Sequence, residues 1–168
     1  MRFDLSSAAV MALAVASALT TAWWMDQAGL RGQAHASTPA VSTPATGSAG
    51  QVLKAADGHY WAEADIDGRA VRVMVDTGAS VVALTRADAA RLGLKLTPED
   101  FSGTVITASG PVRAAPVRLE AVAVAGARVT AVEALVVEHG LPHSLLGMSY
   151  LGRLSSFSAT PAGLTLRP

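Results

Sequence analysis

The feature that most constrains this chain is a carboxylate placed between two apolar stretches. Asp76 opens the sequence Asp-Thr-Gly-Ala-Ser, which follows the largely apolar residues 71–75 and precedes the apolar residues 81–84. Burying an isolated ionised carboxylate is costly, so such a group needs neighbours that stabilise its charge or share its proton. A β-hairpin turn would also explain these residues, and the rest of the chain decides between a turn and a chemical site.

Composition limits the chemistry that the chain can perform. It has 168 residues, enough for one domain with additional segments. Its 13 basic and 13 acidic residues balance and form no basic cluster, so nucleic acid is not an expected partner. The absence of cysteine excludes disulfides, thiolate metal sites and cysteine nucleophiles. All basic residues except Lys54 and Lys95 are arginines, a bias associated with bacterial genomes of high GC content.

Residues 1–25 predict a membrane anchor. Residues 5–24 carry no charge and match the ~20 residues that span a bilayer. The run ends at Trp23 and Trp24, whose rings favour the membrane interface. A cleavable signal peptide is the alternative, because residues 34–36 have the small-x-small pattern of a cleavage site, although this site lies well beyond the apolar run. We expect an uncleaved single-pass anchor in the inner membrane, with the remaining chain outside the cytoplasm.

The sequence predicts a flexible linker at residues 26–50 and one domain at residues 51–168. The linker is mostly Ala, Ser, Thr, Pro and Gly, which bury too little surface to offset the entropy of ordering them. Beyond it, short apolar runs separated by turn residues are typical of a mostly β domain.

Turn and cap residues set the expected elements of this domain. Asp67-Gly68 predicts a two-residue hairpin turn, and Thr85 predicts the start of a short helix that ends at Gly93. Strands are expected at residues 60–66, 69–75, 81–84, 105–108, 112–118, 119–124, 129–137, 155–158 and 164–167, and helices at residues 86–92 and 149–151.

Three stretches together resemble the retropepsin-like aspartic proteases of the bacterial, membrane-anchored type. They are Val-Met-Val-Asp-Thr-Gly-Ala-Ser-Val-Val-Ala-Leu at residues 73–84, Thr-Ala-Ser-Gly at residues 107–110 and Leu-Leu-Gly at residues 145–147. The resemblance implies a single-lobe acid protease fold in which the strand before Gly147 packs next to the Asp76 loop. It also implies an aspartic endopeptidase that needs no metal ion and no organic cofactor.

The resemblance assigns a role to each residue of the loop. Asp76 corresponds to the catalytic aspartate, and Thr77 to the residue whose hydroxyl locks two such loops together across a dimer axis. Gly78 corresponds to the glycine that lets backbone approach the site. Ala79 is the small residue usual in retroviral-type members, and Ser80 is implied to hydrogen-bond the aspartate.

The resemblance also implies a flap that closes over an extended peptide substrate. The residues that correspond to its tip are Thr107, Ala108, Ser109 and Gly110. Apolar residues near the site are candidates for lining the substrate-binding subsites: Val105, Ile106 and Leu141.

Aspartic proteolysis needs more than one carboxylate. Two of them a few Å apart share one proton, so that one activates a water molecule while the other donates to the scissile carbonyl. The chain holds one Asp-Thr-Gly, at Asp76. We therefore predict a symmetric homodimer with its active site on the two-fold axis and activity that favours acidic pH. The other aspartates of the domain are expected in turns or on strand and helix surfaces: Asp57, Asp65, Asp67, Asp88 and Asp100.

Other catalytic or ligand sites are less consistent with the sequence. Residues 147–152 nearly match the G-x-S-x-G nucleophile motif, but the second glycine is one residue late. His139 and His143 are four residues apart, yet Gly140 and Pro142 between them oppose a helical zinc pair, so loop histidines are expected.

Two further hypotheses compete with the protease. One is a protein of the same fold that binds extended peptides without cleaving them, and the other is a precursor whose tether must be cut before dimers form. Trp61 is expected to pack against a strand rather than to bind a ligand.

Overall fold

The computed structural model describes residues 43–107 and 110–168 and shows a mostly β domain. The prediction of a mostly β fold with two short helices is confirmed for these residues. A single 3-10 turn, Pro98–Asp100, lies between the first helix and the sixth strand. The strands are β1 (Thr46–Gly47), β2 (Gly50–Leu53), β3 (Trp61–Ile66), β4 (Arg69–Val75), β5 (Val82–Thr85), β6 (Gly103–Thr107), β7 (Gly110–Val124), β8 (Ala127–Val137), β9 (Ser144–Leu146), β10 (Ser156–Ala159) and β11 (Gly163–Arg167), and the helices are α1 (Arg86–Arg91) and α2 (Met148–Leu151).

Most strands join one curved sheet. Its order is β1, β8, β5, β9, β4, β3, β7 and β6, and a further pairing of β7 with β8 closes the sheet on itself. Alternate side chains of each strand point inward, as Ala62, Ala64 and Ile66 do from β3. Tyr150 and Phe101 are the bulkiest side chains of the resulting core. Strands β10, β11 and β2 form a second, three-stranded sheet.

The β3–β4 hairpin delivers the chain to Asp76. Its turn is Asp67-Gly68, and both residues have positive φ, 52° and 81°, as a type I′ turn requires. Trp61 at the start of β3 then pairs with Met74 near the end of β4. The predicted hairpin is confirmed.

Strand β9 lies between the two strands that flank the Asp76 loop. It runs parallel to β4, with Val73 opposite Ser144, and antiparallel to β5, with Ala83 opposite Leu145. A segment about 70 residues further along the chain therefore holds the two strands together. This confirms that the strand before Gly147 packs next to the loop.

Strand β7 is continuous where two strands were expected. It covers residues 110–124 because its two ends have different neighbours: Ala114 pairs with Gly103 of β6, and Val122 pairs with Ile66 of β3. Strand β8 pairs with nearly the whole length of β7. No turn residue separates Arg118 from Leu119, so the predicted division there was wrong.

The ordered domain begins earlier than residue 51. Strands β1 and β2 lie against the turn between β7 and β8, and a Cβ added at Gly50 would stand 1.7 Å from the carbonyl oxygen of Ala125. One added at Gly47 would stand 2.0 Å from the carbonyl oxygen of Gly126. The small residues that suggested a linker thus permit close backbone packing.

The predicted anchor at residues 1–25 and most of the predicted linker, residues 26–42, lie outside the described residues. Within residues 43–107 and 110–168, neither helix has the length and apolar character needed to span a bilayer.

Candidate active site

Backbone hydrogen bonds fix the loop that carries Asp76. The amide of Asp76 donates to the carbonyl oxygen of Leu146 at 3.1 Å, and the amide of Met148 donates to the carbonyl oxygen of Ala79 at 2.8 Å. Within the loop, the amide of Ala79 donates to the carbonyl oxygen of Asp76 at 3.3 Å. The segment around Gly147 therefore supports the loop at both of its ends.

This support requires glycine at position 147, because the surrounding backbone leaves no room for a side chain. A Cβ at this position would lie 2.2 Å from the carbonyl oxygen of Val81 and 2.7 Å from that of Ala79. Both contacts are far shorter than van der Waals separation and both are to backbone, which cannot move aside without displacing the loop. The Asp-Thr-Gly and Leu-Leu-Gly motifs thus depend on each other physically.

Ser149 also supports the strands next to the loop. The amide of Val82 donates to Ser149 Oγ at 2.9 Å, and that hydroxyl donates to the carbonyl oxygen of Glu133 at 2.7 Å. The hydroxyl proton is engaged with a backbone carbonyl and no histidine contacts it in the described part of the chain. Ser149 therefore joins β5 to β8 and is not arranged as a hydrolase nucleophile.

The Asp76 carboxylate is half-buried, and so less enclosed than the apolar flanks suggested. Its Oδ1 accepts a hydrogen bond of 2.8 Å from the amide of Gly78. Thr77, Gly78 and Ser80 are exposed. The resemblance implied a hydrogen bond between Ser80 and Asp76, but the described residues show none: the backbone amide of Gly78 provides that contact instead.

A largely apolar cavity of about 540 Å³ opens in front of Asp76. Its wall on the far side is the end of β6, and Asp76 is the only acidic residue among those described that line it. The three apolar residues proposed for subsites, Val105, Ile106 and Leu141, all line this cavity. Ile106 is 78% exposed, as expected for a side chain that contacts a bound ligand or partner.

The cavity wall contains one end of the predicted flap. Thr107 lines it, and Thr107 Oγ1 donates to the carbonyl oxygen of Gly110 at 2.9 Å. Ala108 and Ser109, which complete the predicted tip, lie outside the described residues. The β6–β7 hairpin is therefore placed next to Asp76, and its role as a flap stays a prediction.

Asp88 was expected on a helix surface, but it is only 7% exposed. Ser144 Oγ donates to Asp88 Oδ2 at 2.5 Å, and Thr85 Oγ1 donates to the same oxygen at 2.8 Å. The Arg91 guanidinium donates to Oδ1. The network joins α1, β5 and β9. The sequence predicted the Thr85 cap, and the structure confirms its position at the helix start. The sequence could not predict Ser144 as a partner of Asp88, because the two are 56 residues apart.

The charge of Asp88 is stabilised in the fold. Burial opposes its ionisation, but the hydrogen bonds from Ser144, Thr85 and Arg91 outweigh burial and hold the pKa of Asp88 below its usual value. A second charge-bearing group thus sits behind β9, apart from the cavity of Asp76.

The described residues contain no group of three His, Asp or Glu side chains that could hold a metal ion. His139 and His143 lie in the irregular segment before β9, as the loop interpretation predicted.

Comparisons with known proteins decide the family. Residues 62–153 match the family model described as gag-polyprotein putative aspartyl protease. A retropepsin-like aspartic protease from Rickettsia conorii is 34% identical in sequence and superposes with a TM-score of 0.65 over 73% of this chain and 92% of the other. The chain belongs to the retropepsin-like aspartic protease family.

The retropepsin-like fold extends to more distant structures. The EIAV protease in complex with the inhibitor HBY-793 is 22% identical and superposes with a TM-score of 0.50 over 62% of this chain and 96% of the other. At this level of identity the match supports the fold alone.

Two curated relatives match this chain over only part of their own length. An uncharacterised protein from the cobV 5′ region of a Sinorhizobium species is 38% identical over 134 residues, which cover 77% of this chain and 58% of the relative. An uncharacterised protein of Rickettsia prowazekii is 38% identical over 106 residues, covering 63% of this chain and 46% of the relative. The chain therefore spans about half the length of these relatives.

The Asp88 network predicts a pH-dependent loss of stability. Because the pKa of Asp88 is lower in the fold than in the unfolded chain, its contribution is present above the unfolded value of about 4 and is lost as pH falls through the folded value. We expect Asp88→Asn to lower the free energy of unfolding by about 1–3 kcal/mol at pH 7, because partners of the carboxylate are left unpaired. The difference from wild type should shrink below pH ~4.

Urea unfolding at pH 7 and pH 3 measures this difference. Glu120→Gln, at an exposed residue of β7, is the control and should change stability little at either pH. A difference between Asp88→Asn and wild type that is the same at both pH values would contradict the assignment.

Proposed function

We propose that the protein is an aspartic endopeptidase that cleaves peptide bonds as a homodimer. The observation that carries the proposal is a single carboxylate, Asp76, held by backbone hydrogen bonds at the edge of an apolar cavity in a chain of this family. The cavity can hold an extended peptide, and the carboxylate can hold a water molecule next to it.

A second chain is needed because one chain supplies half of the reaction chemistry. No other acidic residue lines the cavity in the described part of the chain. The loop residues beside Asp76 are exposed, and no hydrogen bond of the Thr77 side chain is found within residues 43–107 and 110–168. A two-fold axis through these loops would bring the two Asp76 carboxylates together and give each Thr77 hydroxyl a partner.

In the proposed mechanism the two Asp76 carboxylates share one proton, because two such charges a few Å apart cannot both ionise without a large penalty. The ionised carboxylate takes a proton from the water molecule as the water attacks the scissile carbonyl. The protonated one donates to the carbonyl oxygen. The proton taken from the water then passes to the amide nitrogen as the C–N bond breaks, which releases the two peptide products. The Gly78 amide orients the carboxylate through its hydrogen bond to Oδ1. Activity is therefore expected at acidic to mildly acidic pH.

We also propose that residues 1–25 anchor the protein in the inner membrane with its protease domain outside the cytoplasm. The support is the uncharged run at residues 5–24 and its terminal pair of tryptophans. Two subunits anchored in one membrane have a high effective concentration, so even a weak dimer would assemble there. In this arrangement the linker predicted from residue 26 joins the anchor to the protease domain, whose first described strand, β1, begins at Thr46.

Substitution of Asp76 tests the chemistry. We expect Asp76→Asn to lower kcat for a cleavable peptide on the order of 10²–10⁴-fold, because the neutral amide cannot act as the base. Asp65→Asn is the control: Asp65 Oδ1 also accepts a hydrogen bond from a nearby backbone amide, that of Gly68 at 2.9 Å, but Asp65 does not line the cavity. Unchanged turnover in Asp76→Asn, measured across pH, would contradict the proposal. Undiminished peptide binding without any cleavage by the wild type would favour a peptide-binding protein instead.

The anchor is tested by fractionation. The full-length protein is expected to stay in the membrane fraction after an alkaline wash that removes peripheral proteins, and a C-terminal reporter active only outside the cytoplasm should be active. Release of the protein by the wash, or activity of a cytoplasmic reporter at the same position, would contradict the proposed anchor or its orientation.

A further inference from the structure

A second cavity, of about 360 Å³, lies beside the Asp76 cavity. Pro142 lines both cavities, so the two are adjacent. The first cavity is largely apolar, whereas the second is lined by aromatic and charged side chains. Those on which its chemistry depends are Trp61, Arg72, Asp88, Arg91 and His143.

The two cavities share one face of three neighbouring strands. Side chains two residues apart on a strand point to the same face and are separated by about 7 Å. On β4 and β5, and at β9 together with the residue directly before it, one residue lines the cavity of Asp76, and the residue two positions away lines the second cavity. These pairs are Met74 and Arg72, Leu145 and His143, and Ala83 and Thr85.

Trp61 gives the second cavity a rigid aromatic wall. Its Nε1 donates to Asp57 Oδ2 at 2.8 Å, and its ring meets the edge of the His143 ring with a centroid separation of 4.9 Å. The Arg72 guanidinium lies over the indole, 4.7 Å from the ring centroid. Trp61 therefore does more than pack against a strand: it holds the Arg72 side chain in place.

Arg72 supplies a positive charge that the described residues leave without an ion pair. Glu63 lies opposite Arg72 in the β3–β4 register, yet no ion pair joins them. Arg91 differs, because its guanidinium is paired with Asp88. A guanidinium held on an aromatic face with its donors accessible is suited to bind a carboxylate.

We propose that this cavity binds an acidic side chain of the peptide whose scissile bond lies at Asp76. This inference rests on the proposed function and adds a specificity determinant, Arg72. Arg72 precedes Asp76 by four positions on an extended strand, a distance of about 13 Å. An extended peptide covers the same distance in roughly four residues, so the preferred Glu or Asp is expected three to five residues from the scissile bond.

Paired peptides test the preference in the full-length protein. A series of peptides places Glu, or Gln in its stead, at the third, fourth or fifth residue on either side of the cleaved bond. For wild type we expect kcat/KM to be about tenfold higher with Glu than with Gln at one of these positions, mostly through KM. Arg72→Gln should reduce this ratio to near one. Arg128→Gln, at an exposed arginine of β8 that lines neither cavity, should keep the ratio.

A wild-type enzyme that cleaves Glu and Gln peptides equally at every position would overturn the inference while leaving the proposed protease intact. An Arg72→Gln variant that retains the preference would overturn it as well. If no peptide is cleaved, the proteolytic proposal fails separately. Fluorescence anisotropy of the peptides with the full-length Asp76→Asn protein then tests the cavity by itself. Tighter binding of the Glu peptide than of the Gln peptide, lost when Arg72→Gln is added, would support the site. Equal binding of the two peptides would exclude it.

Discussion

The insertion of β9 between β4 and β5 is the constraint on which the site depends. The strand is three residues long, but it hydrogen-bonds to both strands that flank the Asp76 loop. Gly147 follows it directly, where backbone oxygens leave no space for a Cβ. The position of the carboxylate is therefore set by main-chain contacts between distant segments, which are less adjustable than side-chain contacts.

The site is supported on one side and open on the other. The Asp76 loop is well supported from behind by β9 and α2 and exposed in front, where Thr77, Gly78 and Ser80 have no cover in the described residues. Among residues 43–107 and 110–168, Asp76 is the one acidic residue that lines the apolar cavity beside the loop. A second copy of the chain would complete the pair of carboxylates. The same strands carry Arg72, at which residues flanking the scissile bond of the peptide would bind.

Local sequence predicts the parts of this structure that local chemistry determines. The Asp67-Gly68 turn, the Thr85 cap and the Asp76 loop are each defined by a few adjacent residues, and all were found. The interaction between Asp88 and Ser144 was missed because its partners meet only after β9 is inserted. Strands β1 and β2 were missed for another reason: small residues such as Gly50 indicate disorder by composition, yet the same absence of a side chain permits close packing.

The central claim is that catalysis requires two copies of Asp76, and subunit mixing tests it most directly. Wild-type and Asp76→Asn proteins, both full-length, are mixed at constant total concentration, allowed to exchange subunits, and assayed for peptide cleavage. If each active site uses one carboxylate from each subunit, activity falls as the square of the wild-type fraction, so an equal mixture retains about a quarter of the activity. Activity that falls in direct proportion to the wild-type fraction would show that one chain is sufficient and would contradict the account.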